Sequence, residues 1–442
     1  MFTQQQSILR DLGKGLIMRR ATPEDAYALS KFNGDIHGED EVDRKGVMAW
    51  TSDLLTRPHA TFQPGDFTIV EETATGRIVS SLNLISQTWS YEGIEFGVGR
   101  PELVGTLPEF RGRGLIRAQF EEVHKWSADR GELVQAITGI PYYYRQFGYE
   151  FALNLGGWRM GLIVPKLKEG EMEKFVIRPA DKDDIPLLMS LYEYGCRRSM
   201  LSAQWTAAHW YNNLFELSEE NFHRLEYRIL ERADTREPVG YFGQTPLLGS
   251  TGARAFHYEL APGVSWLEVS PCVVRYMWDT GQEYAKRENR TCTTFSFLLG
   301  AEHPVYEALG NTLPRISNPY AWYLRVPDLL GFLNLIKPVL EQRLSESIAC
   351  GHTGEYLLVM YPQGIRLTLE NGHIDLDSWK PDNAEDGNAV FPMLTFLQIL
   401  FGYRSFEELD QAFPDCYWRD ESTHVIINAL FPKKNSHVFG IV

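Results

Sequence analysis

Apolar residues follow two periods along this chain, and the switches between them mark its elements. Leu103, Val104 and Thr106 belong to a short run that stops at Pro108, as a strand does. Ile116, Phe120 and Val123 then recur at helical spacing, which predicts a helix with one buried face. Leu133, Val134, Ala136 and Ile137 predict a second strand behind it. The same rhythm of strand and acid-started helix appears at residues 18–25 and again at 177–184. Residues 67–71 are echoed by 227–231, and Tyr144 to Gly148 by Tyr306 to Gly310, each echo lying about 160 residues downstream. Collinear echoes at one spacing predict two tandem copies of one α/β domain.

From about residue 328 the texture changes. Residues 355–368 alternate in strand fashion, and Glu370, Asn371, Gly372 and His373 form a hairpin turn signal. Residues 391–401 are apolar nearly all round, which predicts a buried helix ending at Gly402. Core packing accounts for that helix more simply than a lipid tunnel does.

Composition narrows the function classes. A chain of 442 residues, 44% of them hydrophobic, suits three ordinary domains with their own cores. No apolar run is long enough for a membrane helix and the start has no signal-peptide pattern, so a cytoplasmic protein without a membrane partner is expected. Five widely spaced cysteines and histidines without His-x-x-x-His spacing point to neither disulfides nor a metal. A net charge of −15 argues against nucleic acid and tilts the expectation towards cationic substrates.

The chemistry gathers at Arg111, Gly112, Arg113 and Gly114. Glycines let the backbone pass close to a ligand, and the helix that follows turns its unpaired N–H groups towards this loop. Each negative charge placed there gains about 0.3–1 kcal/mol from the helix dipole, so the turn suits a phosphate. In the second copy the alignment offers Pro271 to Met277, which lacks glycine, so that copy is expected to be catalytically silent and to wall the substrate cleft.

Strand, glycine turn and helix in this order resemble the acetyl-CoA site of the GCN5-related N-acetyltransferases (GNAT), whose signature is Arg/Gln-x-x-Gly-x-Gly/Ala. Arg111 and Gly114 match it, and Ile116 departs from it at the last position. Tyr144, Phe147, Gly148 and Tyr149 resemble the Tyr-x-x-Phe-Gly-Tyr turn of the Eis-like branch. The resemblance implies mixed α+β sheets: a GNAT domain at residues 1–165, a degenerate GNAT-like domain at 172–327 and a small sterol-carrier-like domain at 328–442. It implies that Leu103, Val104, Gly105 and Thr106 hold the pantetheine arm and thioester of acetyl-CoA, used as co-substrate without a metal. Arg111, Gly112, Arg113, Gly114 and Leu115 would cradle the pyrophosphate. Tyr144 would be the general acid, a role its ordinary pKa of about 10 allows at neutral pH. Tyr142, Tyr143 and Tyr144 would equally serve to pack a turn against a sheet.

For the general base the branch implies the terminal carboxylate, here Val442, although Pro432 and the lysines after it suggest a surface excursion with Phe439 as an anchor. Glu102, His37 and Glu39 are alternatives, the last two in an acidic segment that also suits a solvated loop. The expected reaction is direct attack of a primary amine, on a cationic small molecule or peptide, upon acetyl-CoA. The branch also implies a homo-oligomer, a hexamer. A non-catalytic CoA-thioester or lipid sensor and an assembly scaffold are the competing readings, and the motif does not name the acceptor.

Overall fold

The computed structural model describes residues 8–392 and 394–440. Among these, strands assemble into three sheets, of nine, seven and five strands. In the first, strands Leu16–Arg20, Phe67–Glu72, Arg77–Tyr91, Ile94–Thr106 and Val134–Ile137 lie side by side, and helix Leu115–Asp129 crosses one face. The second sheet repeats that plan with Phe175–Pro179, Glu226–Arg232, Pro238–Gln244, Gly252–Leu260, Thr294–Phe297 and helix Trp266–Arg287.

A buried ion triad repeats with them. Arg19 binds both Asp25 and Glu71, while Arg178 binds Asp184 and Glu231 in the same arrangement. In each copy the arginine ties the first strand to the helix start and to the neighbouring strand. A pair so placed is expensive to break, since the partner left behind is a buried charge. Recurrence of all three residues at the sequence echo makes the chain a tandem of two mixed α/β domains.

The copies are laced together by exchanged strands. Trp158–Gly161 leaves the first domain to pair with Thr294–Phe297 in the second sheet. In return Tyr320–Arg325 inserts between Val134–Ile137 and Glu150–Leu155 of the first sheet. The divisions at 165 and 172–327 therefore cut through both sheets, because pattern reading places strands by position and cannot assign them to a sheet.

Two local expectations need correction. Pro271 to Met277 do not form a turn: they lie inside helix Trp266–Arg287, where Val273, Val274 and Met277 are buried in the second core. The loop that corresponds to the glycine turn is residues 261–265, between strand Gly252–Leu260 and that helix. The predicted helix over 391–401 shortens to Phe396–Leu400, all of it buried.

The third sheet pairs Gly354–Val359, Gly364–Glu370 and His373–Trp379 as a meander, with the hairpin closing at Glu370↔His373. One apolar cluster runs through all three parts, joining Trp89 and Phe96 to Trp205 and Trp210 and to Phe332 and Phe401. The tail threads this junction. Asn435, Ser436 and His437 bond to residues 199–201, and Trp205 donates to the Phe439 carbonyl. Lys433 and Lys434 stay at the surface against Glu408 and Glu92.

Candidate active site

Strand Ile94–Thr106 pairs with Arg77–Tyr91 along its length but with Val134–Ile137 only at Val98↔Val134 and Gly99↔Gln135. From Arg100 onward that second edge has no strand partner among the described residues, which leaves room for a ligand to pair with it. The register also slips: Ser81 faces Gly105 whereas Asn83 faces Glu102. A bulge absorbs the extra residue, with Leu103 at φ +52°. That conformation costs a leucine about 1–2 kcal/mol, and burial of its side chain in the core of the first domain holds it there. Nothing in the apolar pattern announces this bulge.

His37 packs beside it. An added Cβ at Gly105 would come to 3.4 Å from the His37 Nε2 and 2.8 Å from Ile36, so glycine here admits the helix end Ala26–His37 to the strand. Burial pulls the His37 imidazole below its ordinary pKa, opposed by a hydrogen bond to the Leu103 carbonyl, which leaves it neutral at pH 7. Its Nε2 is buried without a hydrogen-bond partner. The rest of the acidic segment is spent otherwise. Asp40 caps helix Glu41–Thr56, Asp35 pairs with Lys31 and Arg44, and Glu39 is exposed. Glu102 is oriented by Arg100, whose guanidinium approaches to 2.6 Å.

At its end the strand gives way to the short turn Pro108–Phe110 and then to an exposed loop. Gly112 and Gly114 have φ of +74° and +76°, and an added Cβ at either would meet nothing within 4 Å. The backbone, not crowding, calls for glycine. Helix Leu115–Asp129 starts directly from Gly114, with its first amides unpaired inside the helix and turned to the loop. Gln119 pins that helix to the sheet by accepting from Ser80 and donating to Thr68, all of them buried. The arginines are not free arms: Arg111 donates to the Thr106 carbonyl, and Arg113 donates to the Glu109 carbonyl and lies over Phe110. Leu115 has only its amide to offer the loop, since its side chain is in the core.

Tyr144 sits in the short helix Tyr143–Phe147, entered at Tyr142 with φ +65°. The structure separates the three tyrosines: Tyr142 is 75% exposed, Tyr143 is half-buried and Tyr144 is 5% exposed. The Tyr144 ring stands edge-on to Phe120, Tyr143 and Tyr323, the last from the exchanged strand. Burial first, and then the neighbouring Glu102 carboxylate, raise its hydroxyl well above the ordinary tyrosine value. It is a protonated donor at neutral pH, and Glu102 is close enough to feel its charge. Val442 lies outside the described residues. The tail reaches Gly440, where an added Cβ would come to 2.9 Å from Arg100 and 3.3 Å from Trp322.

Open strand edge, bulge, glycine loop and buried tyrosine thus converge on one side of the first sheet. Arg100, Trp322 and Tyr323 were not expected there. The first reads as an ordinary strand cation, and the other two arrive only through strand exchange.

Residues 39–152 match the acetyltransferase (GNAT) domain family, a span that holds the open strand, the glycine loop and Tyr144. Comparison with curated proteins finds no match. Among solved structures, a conserved protein from Enterococcus faecalis V583 described as a probable N-acyltransferase superposes with a TM-score of 0.64 at 13% identity, covering 97% of this chain and all of its own. A GCN5-related N-acetyltransferase from Anabaena variabilis gives 0.62 at 13% identity over 96% of this chain and 99% of its own. Eis1 from Mycobacterium abscessus gives 0.57 at 12% identity over 89% and 92%. These likenesses establish the shared fold. The chain therefore carries a GNAT acetyltransferase domain, which makes it an N-acetyltransferase with an acyl-CoA as co-substrate and an amine as acceptor. No helix among the described residues is long and apolar enough to cross a membrane.

Proposed function

We propose that this N-acetyltransferase moves the acetyl group of acetyl-CoA by direct attack to a primary amine of a cationic small molecule or peptide. The observation that carries this reading is the open edge of strand Ile94–Thr106, flanked at one end by the glycine loop and overlooked by Tyr144. The pantetheine would add to the edge as a strand does, through Leu103, Val104, Gly105 and Thr106. Peptide groups taken out of the ladder by the bulge would polarise the thioester carbonyl. The pyrophosphate would rest on the amides of Gly112, Arg113, Gly114 and Leu115, with Arg111 bracing the loop.

Attack requires a neutral amine and a proton for the leaving sulfur. Glu102 and His37 are the bases that the described residues bring to the strand. Glu102 takes the ammonium proton in our reading, since an anion beside the cleft also draws a cation in, and His37 lies next to the bulge to accept a hydrogen bond from the amine. Tyr144 protonates the departing thiolate. Collapse of the tetrahedral adduct breaks the C–S bond, and the adduct nitrogen sheds its second proton to restore the Tyr144 hydroxyl, which leaves the amide, free CoA as its thiol and a protonated Glu102 that releases its proton to solvent. The net charge of −15 supports a cationic acceptor.

The test is thiol release from acetyl-CoA with a panel of primary amines, polyamines, aminoglycosides and lysine peptides. Release that depends on a cationic amine and yields its N-acetyl product supports the reading. Acetyl-CoA binding without transfer to any amine would replace it with a sensor.

A further inference from the structure

The second domain keeps the geometry of an acyl-CoA cleft while its chemistry has changed. Strand Gly252–Leu260 runs parallel to Thr294–Phe297 from Gly252↔Thr294 to Ala255↔Phe297 and parts from it at Phe256, as Ile94–Thr106 does at Arg100. In the first domain Gly105 lies on the open stretch of the strand, against Ile36 and His37. In the second the opening holds a cavity of about 310 Å³, at the small end of ligand pockets. The counterpart of Tyr144 is out of use, because the Tyr306 hydroxyl donates towards the Phe297 and Gly300 carbonyls and accepts from the Leu299 amide.

Three features define what the cavity accepts. Its walls are aromatic: Tyr192 stacks on His257, and Phe439 of the tail meets the same imidazole edge-on at 4.4 Å. Its interior charge is cancelled, because Glu259 is bound by Arg198 and lies 3.4 Å from the His303 Nε2. Its rim is acidic, since Glu302 and Glu307 line the mouth, are exposed and pair with no cation among the described residues. Within it, His257 is 6% exposed and its Nε2 is buried without a hydrogen-bond partner, as is the Nε2 of His437. Burial holds both imidazoles well below their ordinary pKa, so they are neutral groups that can accept or donate a hydrogen bond and add no positive charge.

We propose that the second domain binds a small organic amine in this cavity, at a site separate from the acetyl-transfer centre. Its ammonium group meets Glu302 and Glu307, and its apolar body lies between Tyr192 and Phe439. Cation and aromatic wall attract each other in addition to the carboxylates. An anion is refused by the same rim.

The test uses a matched set on the full-length protein: tyramine, the neutral 4-ethylphenol and the anionic 4-hydroxyphenylacetate, titrated calorimetrically with CoA at saturation. Tyramine should bind, and both analogues should bind at least tenfold more weakly. Ala301→Trp, which fills the cavity, should abolish this binding while CoA binding and acetyl transfer persist. Glu302→Gln with Glu307→Gln, two exposed changes that spare the fold, should weaken it about tenfold. Tyramine binding that survives Ala301→Trp would place the amine at the first domain's acceptor site and overturn the proposal. So would a preference for the anionic analogue, or no binding at all.

Discussion

Replacement of Gly114 by Val isolates the backbone's part in holding acetyl-CoA. At φ +76° with nothing within 4 Å of an added Cβ, the position is open around its first side-chain atom, so the expected effect is backbone strain. A non-glycine residue in that region costs about 1–2 kcal/mol, and a β-branched one sits at the upper end. The loop can bear this strain, with a matching loss of stability, or escape it by rotating, which turns its amides away from the pyrophosphate. Each hydrogen bond lost to a charged phosphate is worth about 1.5–3 kcal/mol. At 1.4 kcal/mol per decade, one lost bond raises the Kd for acetyl-CoA about 10- to 150-fold. Gly263 supplies the control. It lies before the helix of the second domain at φ +81°, again with nothing within 4 Å of an added Cβ. Gly263→Val should cost similar stability in a denaturant melt and leave acetyl-CoA affinity unchanged in calorimetry. Folded Gly114→Val that binds like the wild type, or two variants that weaken binding alike, would refute the assignment of the loop.

Tyr144→Phe keeps the ring among Phe120, Tyr143 and Tyr323 but removes the proton donor, so kcat should fall by roughly 10²–10⁴ with little change in acetyl-CoA affinity; full turnover would return the residue to a packing role. Arg19→Ala strands Asp25 as a buried charge and should cost about 3–5 kcal/mol in a urea melt, a loss under 1 kcal/mol showing that the triad is not stabilising. Burial lowers His124, His223 and His257 to about 3 and His209 and His437 to about 4, against an ordinary 6.5. The unfolded chain thus takes up protons that the folded one refuses: their contribution is full above pH 6.5 and falls towards pH 4, by up to about 1.4 kcal/mol per pH unit for each, and a Tm that stays flat from pH 7 to 4.5 would contradict it.

Local chemistry was legible in the sequence, and long-range geometry was not. Gly112 and Gly114 announce their own conformation, and residues 144–149 carry a motif whose tyrosine the fold buries. Periodicity located helix Leu115–Asp129 and the hairpin at Glu370↔His373 because both are fixed by neighbours in sequence. It could not foresee that Tyr323 would stand edge-on to Tyr144, since strand partnership is decided by packing between segments far apart. The repeat offset misled at Pro271 to Met277: it set these residues opposite the glycine turn, yet they lie inside a helix, which bears the loss of the donor that Pro271 lacks. The bulge at Leu103 leaves no trace in composition, because the strain is borne by the packing around it.

The second domain keeps only a shorter loop with one glycine, Gly263, where the first has Gly112 and Gly114, yet it is not dispensable, and the contacts show why. Its strand Tyr320–Arg325 completes the first sheet and brings Tyr323 against Tyr144. Its residues Ser218 and Asn221 bond to Asp53 on helix Glu41–Thr56, while Phe222 packs on Gly46 of the same helix, which clamps the element beside His37. A duplicated domain usually frees one copy to drift, but a copy that lends a strand cannot unfold without opening the sheet it completes. The second fold is thus tied to the sheet it completes, while its own cleft lies apart from the open strand of the first domain. That cleft has filled with His257, Glu259 and the tail residue Phe439, and the next residue of the tail lies against Arg100, the partner of Glu102. Whatever occupies the second cleft thus packs against the same short segment that borders the first.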